Sequence, residues 1–169
     1  HADADAALTD FIALLGSVSD NSKMTLDPIL DGYYVGDTMV NKVPSLINGV
    51  AQAAVTGTRA LQTGSLLTDD RIAMTMLSGQ VEAARDGIEH NVPIAVSAAP
   101  YLHSGLDSLR GRELEASSNF VKWLHSNLLK PTTPRGSAVV LTARRTAALD
   151  AAFALYDSSI NAMDDVLQR

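Results

Sequence analysis

Apolar residues recur along this chain at intervals of three and four with polar residues between them, the period of an amphipathic helix and not of a strand. The pattern is longest near the C-terminal end. There Val139, Thr142, Thr146, Leu149, Phe153, Tyr156, Ile160, Met163 and Leu167 make one stripe of about four heptads. Thr133 followed by Pro134 supplies a cap and a first-turn proline, so the spacing predicts a helix over 134–168. A second helix opens at Asp27 and Pro28 and carries Met39, Val43, Leu46, Val50, Ala53 and Gly57 on one side. It ends near the "QTGSLL" turn, a reach of roughly 50 Å at about 1.5 Å per residue. Thr68 caps a third helix, with Met74, Leu77, Val81, Ala84 and Ile88 on one side, and a shorter one over Asp3 to Val18 precedes them all.

Asn91-Val92-Pro93 and Ala99-Pro100 interrupt this rhythm, since a proline ends a helix or kinks it. Beyond them a further helical stretch carries Leu102, Leu106, Leu109, Phe120, Val121, Leu124 and Leu128. Five helical segments joined by short polar turns predict an all-α fold. Its form is an elongated up-and-down antiparallel bundle of the four-helix type with an extra or broken helix, one domain over 1–169.

Composition sharpens this picture. Apolar residues make up 46% of the 169 but aromatics only 5%, with alanine prominent, which suits close helix packing. Thirteen Lys and Arg against nineteen Asp and Glu leave a net charge of −6, which argues against a nucleic-acid partner and against docking on an anionic membrane. The absence of cysteine removes disulfides, thiol catalysis and thiolate metal sites. No run of about eighteen apolar residues and no signal peptide is visible.

Catalytic and metal signatures are missing. The Glu-x-x-His pairs of di-iron bundles, a haem or zinc motif, a phosphate loop and a nucleophile elbow all fail to occur, so neither an enzyme nor a cofactor or metal is expected. His90, His103 and His125 read as ligand or proton-sensing groups or, more simply, as partly solvated helix histidines. Arginines outnumber lysines, and a guanidinium holds a small carboxylate bidentately, although most arginines pair with nearby acids. Arg85 is one candidate. Arg144 and Arg145 flank Thr142 and Thr146, which would offer inward hydroxyls with cations at the margin, or be threonines tolerated in the stripe.

The stretch "LDPILDGYYVGDTMVNKVPSLI", Leu26 to Ile47, holds more polar detail than packing requires. It resembles a segment of the extracytoplasmic helical sensor domains of bacterial methyl-accepting chemotaxis proteins and membrane histidine kinases. "LTARRTAALDAAFALYDSSINAMDDVLQR", Leu141 to Arg169, is similar to a later segment of the same domains. The resemblance implies a periplasmic module of an inner-membrane receptor, held between flanking membrane helices. It further implies a homodimer through its helices and a ligand that biases a small helix shift. The ligand expected is a small metabolite, most simply an anionic one such as an organic acid or amino acid. Its candidate contacts are Tyr33, Tyr34, Asp37, Arg85, Thr142, Arg145 and Thr146. Tyr33, Tyr34 and Asp37 can equally form a hydrogen-bonding tie between helix ends. An insert whose ends return to one membrane face needs an even number of crossings, so either the first short helix is part of a longer one while the helices around Pro93 and Pro100 form one bent column, or one segment is a cross-over. The rival reading is a helical scaffold or adaptor without a small-molecule site.

Overall fold

A computed structural model of the chain describes residues 30–100 and 103–168, most of them helical and none in a strand. The expected helix over Asp3 to Val18, the Asp27 and Pro28 cap and Leu102 lie outside the described residues. The elements are α1 (Leu30–Asp37), a π-helical turn (Thr38–Lys42), α2 (Val43–Thr63), α3 (Thr68–Ala98), α4 (His103–Leu124), a second π-turn (His125–Leu129) and α5 (Ala138–Leu167). Because Asp37 and Val43 keep helical backbone angles, α1, the first π-turn and α2 run on as a single column. Four columns result.

They alternate in direction. Gly57 of α2 meets Met74 of α3, Arg71 at the start of α3 meets the chain just beyond α4, and Gly105 of α4 meets Ser158 near the end of α5. The α2 column lies against α3 and α5, and α4 closes the other side. This is the all-α up-and-down bundle that the apolar period predicts. Its core is one continuous cluster, with Val43, Leu46, Val50, Met74, Val81, Ile88, Phe120, Leu124, Leu128, Leu141 and Leu155 fully enclosed.

The ends of the helices have local causes. Gly64, at φ +67°, closes α2 in the left-handed conformation that only glycine adopts without strain. Ser137 caps α5, its Oγ accepting the Val139 N–H at 3.2 Å, so that helix starts four residues later than the Thr133 and Pro134 signal implies. Pro93 neither ends nor separates anything: it sits exposed inside α3, where water can reach the carbonyl its missing N–H leaves free. The chain turns back at Ala99 and Pro100, so the two proline sites do not form one bent column; α3 and α4 are separate antiparallel helices.

The face of α5 also differs from expectation. Its inward positions are Leu141, Ala148, Ala151, Ala152, Leu155, Ser159, Ala162, Met163 and Val166. Of the predicted stripe, Val139 is 77% exposed, Phe153 50% and Leu167 65%; Thr142 and Thr146 are exposed as well, and only Met163 is buried. The helix carries two stripes, and the alanine-rich one faces the core because close helix packing favours small side chains.

Candidate functional site

Both π-turns have the same origin. Each ends two residues before a proline, Pro44 or Pro131, whose ring would collide with the carbonyl four residues back in a regular α-helix. The backbone widens by one residue instead: the Val43 N–H donates to the Thr38 carbonyl and the Lys130 N–H to the His125 carbonyl, five residues back in each case. The first turn has a chemical consequence. Side chains five residues apart stand about 140° apart on an α-helix, yet here Lys42 Nζ reaches Asp37 Oδ2 at 3.3 Å.

Asp37 is the hub of a polar cluster. It also accepts from Asn41 Nδ2 at 2.8 Å and from Asn91 Nδ2 of α3 at 2.7 Å, and Asn91 is buried. The Asp37–Asn91 bond thereby ties the first column to α3. Lys42 lays its stem on Gly87, where a Cβ would come within 2.7 Å of it. Beside this cluster, Asn41, Lys42, Ser45, Gln80, Ala83 and Ala84 line an open recess of about 270 Å³. Gln80 Nε2 donates to the Ser45 carbonyl at 2.9 Å and to its Oγ at 3.2 Å. Gln80 is shared with a more apolar groove of about 510 Å³ along α2 and α3, lined by Gln52, Ala73, Met76 and Leu77.

Tyr33 and Tyr34 stand at the α1 end of this cluster. Their rings meet edge to face at 5.2 Å, and Tyr34 meets His90 of α3 in the same way at 6.0 Å. The tyrosines contribute rings, while the hydrogen bond that this cluster makes to α3 belongs to Asp37. The remaining predicted residues lie elsewhere. Thr142, Arg145 and Thr146 are near the start of α5, whose Leu141 packs by Gly57. That level is about 30 Å along the helix from Asp37. The two threonines point to solvent, not inward, while Arg144 and Arg145 keep their guanidinium Nε atoms buried without a hydrogen-bond partner. Arg85 occupies the middle of α3 and pairs with Asp86 at 3.0 Å. The seven candidates therefore form no single site; Tyr33, Tyr34 and Asp37 do come together.

Other arginines behave as the sequence suggests: Arg59 pairs with Asp70 at 2.6 Å and Arg110 with Asp107 at 2.7 Å. Arg71 does not. Its guanidinium donates to the carbonyls of Leu128, Leu129 and Pro131, satisfying acceptors that the end of the α4 column leaves open. His90 is exposed and His125 half-buried. Among the described residues no group of three His, Asp or Glu is placed to hold a metal ion.

Two features escape a reading by apolar letters alone. One is the Asn41, Lys42, Ser45 and Gln80 recess, whose signal is the proline that follows Lys42 and Val43. The other is Glu113, which is fully buried with neither carboxyl oxygen hydrogen-bonded. Burial raises its pKa from 4.5 to about 7, against smaller lowering effects of nearby Ser117 and of the Arg85 charge. The Ser117 hydroxyl itself donates to the Leu114 carbonyl at 3.3 Å.

In comparison with known proteins, no family model, no curated protein and no solved structure matches the chain.

Proposed function

We propose that the chain is the ligand-sensing domain of a bacterial transmembrane receptor, a periplasmic, non-catalytic module. It takes a small organic acid or amino acid and passes a helix shift to a partner domain across the membrane. The observation that carries this reading is the recess at the first π-turn. Asn41, Lys42 and Ser45 of its lining belong to the segment that resembles chemoreceptor and sensor-kinase domains, and Gln80, Ala83 and Ala84 to α3, so it sits at the join between the first column and α3. An ammonium has three donors, and Lys42 commits one of them to Asp37. A ligand carboxylate at Lys42 takes another, with the Asn41 and Gln80 amides beside it, and its apolar part lies on Met76 and Leu77 in the adjoining groove. Binding there bridges two columns, so a ligand that fits one relative position of α2 and α3 better than another biases their packing.

The outward stripe of α5, with Val139, Phe153 and Ile160, offers the surface for a homodimer. The same stripe is what favours the rival reading, a helical adaptor whose partner is another protein. No helix among the described residues is long and apolar enough to cross a membrane; in this proposal anchoring belongs to flanking helices. The test is a topology reporter, active only outside the cytoplasm, inserted in the full reading frame after Gly64. Reporter activity in the membrane fraction is expected; an inactive reporter, or a fully soluble product, removes the receptor reading.

A further inference from the structure

The inward positions of the α4 column include Leu106, Glu113, Ser117, Phe120, Leu124 and Leu128. Glu113 is the acid among them, at the same depth as its apolar neighbours in the seam. An ionised carboxylate without a hydrogen bond is among the costliest groups to enclose, whereas a neutral acid is tolerated. The charged groups around it are few. From α3 comes Arg85, partly exposed and bonded to Asp86 at 3.0 Å. From α5 the inward residues Ala148, Ala151, Ala152, Leu155 and Ser159 carry no charge. Asp150 and Asp157 of that helix are exposed, and the half-buried Tyr156 phenol has its pKa pushed up by burial and by Asp157. On the first column Lys42, beside Gly87 of α3, pairs with Asp37, and Arg59 pairs with Asp70. On α4 itself Arg110 holds Asp107, and Arg112, Glu115 and Lys122 are exposed.

We propose that Glu113 is a proton-operated switch in the bundle: neutral, it lets α3, α4 and α5 close as an apolar seam; ionised, it draws the Arg85 guanidinium away from Asp86 and changes how α4 lies on α3. The proton goes to solvent, and the two forms differ in the one charge. Burial and the orphaned oxygens favour the neutral form, while the Arg85 charge favours the ionised one. Carboxyl titration therefore falls in the neutral range, near pH 7. This inference does not rest on the proposed ligand or receptor role.

Two measurements on the whole chain test it. Carbon-13 NMR of labelled glutamate, with Glu113 assigned by its loss in Glu113→Gln, follows the carboxyl from about pH 5 to about pH 9. A midpoint in the neutral range is expected, and Arg85→Gln moves it higher. Because the chain has no cysteine, spin labels at Glu82→Cys on α3 and Asn119→Cys on α4, both exposed, report the α3–α4 distance alone. That distance changes between the ends of the same pH range, and the change disappears when Glu113→Gln is added. Should Glu113→Gln fail to fold, Arg85→Gln with Glu113 intact takes its place, and the distance change is lost with the guanidinium that carries it. A carboxyl midpoint in the ordinary carboxylate range, or a distance that ignores pH, overturns the proposal.

Discussion

Glu113 couples this fold to pH in a direction that can be stated beforehand. Its pKa is raised in the folded chain, to about 7 from 4.5, so the folded state binds the proton more tightly than the unfolded one. The corresponding stability is complete below about pH 4.5 and is lost as pH rises through 7, an interval worth roughly 3 kcal/mol. Urea melts of the wild type and of Glu113→Gln across this range check it. The difference between the two proteins should shift in favour of the glutamine variant as pH rises; parallel curves contradict it. The residue was legible in principle, because steps of three and four from Leu106 and Leu109 land on Glu113 and Ser117 before reaching Phe120. A search for apolar letters passes over it, since a buried acid looks like a surface residue until its neighbours on the helix are placed. The role of Arg71 was not legible at all: the carbonyls it serves lie more than fifty residues away.

At the level of elements, proline was the most informative letter and the easiest to misread. Pro93 looks like a helix end and lies within α3, whereas Pro44 leaves the column continuous but widens the preceding turn. That widening brings Asp37 and Lys42 together and opens the recess beside them. The α5 helix shows a different limit. Periodicity fixes that a helix has an apolar side, but Leu141, Ala148, Ala152, Leu155 and Ser159 repeat as regularly as Val139, Phe153 and Ile160. Choosing between the two stripes takes the width of the bundle interior, which small residues match and the larger ones do not. The larger stripe is left on the outside, so Phe153→Glu is expected to turn the proposed homodimer into a monomer in sedimentation velocity. Its urea midpoint under monomeric conditions should stay within about 0.5 kcal/mol of the wild type, as for a surface change. A variant that remains dimeric removes α5 from the interface.

For the whole molecule, the fold class and antiparallel order follow from long apolar periods and short polar turns, and the bundle has both. The described residues form four columns. The candidate site was less legible because helix stripes do not reveal which ends meet. Tyr33, Tyr34 and Asp37 share one end of the bundle; Thr142, Arg145 and Thr146 sit toward the other. The ammonium beside the first cluster, Lys42, was hidden by a register that only the π-turn creates. Sensing requires that a ligand at this join stabilise the folded chain by linkage, about 2.7 kcal/mol at a hundredfold excess over Kd.

The decisive measurement is the melting temperature of the chain against a panel of organic acids, amino acids and aromatic carboxylates, repeated with Lys42→Met. At least one carboxylate should raise the melting temperature of the wild type, and the rise should vanish in Lys42→Met. Shifts from uncharged or cationic compounds alone, or a carboxylate shift that survives Lys42→Met, would contradict the proposed site.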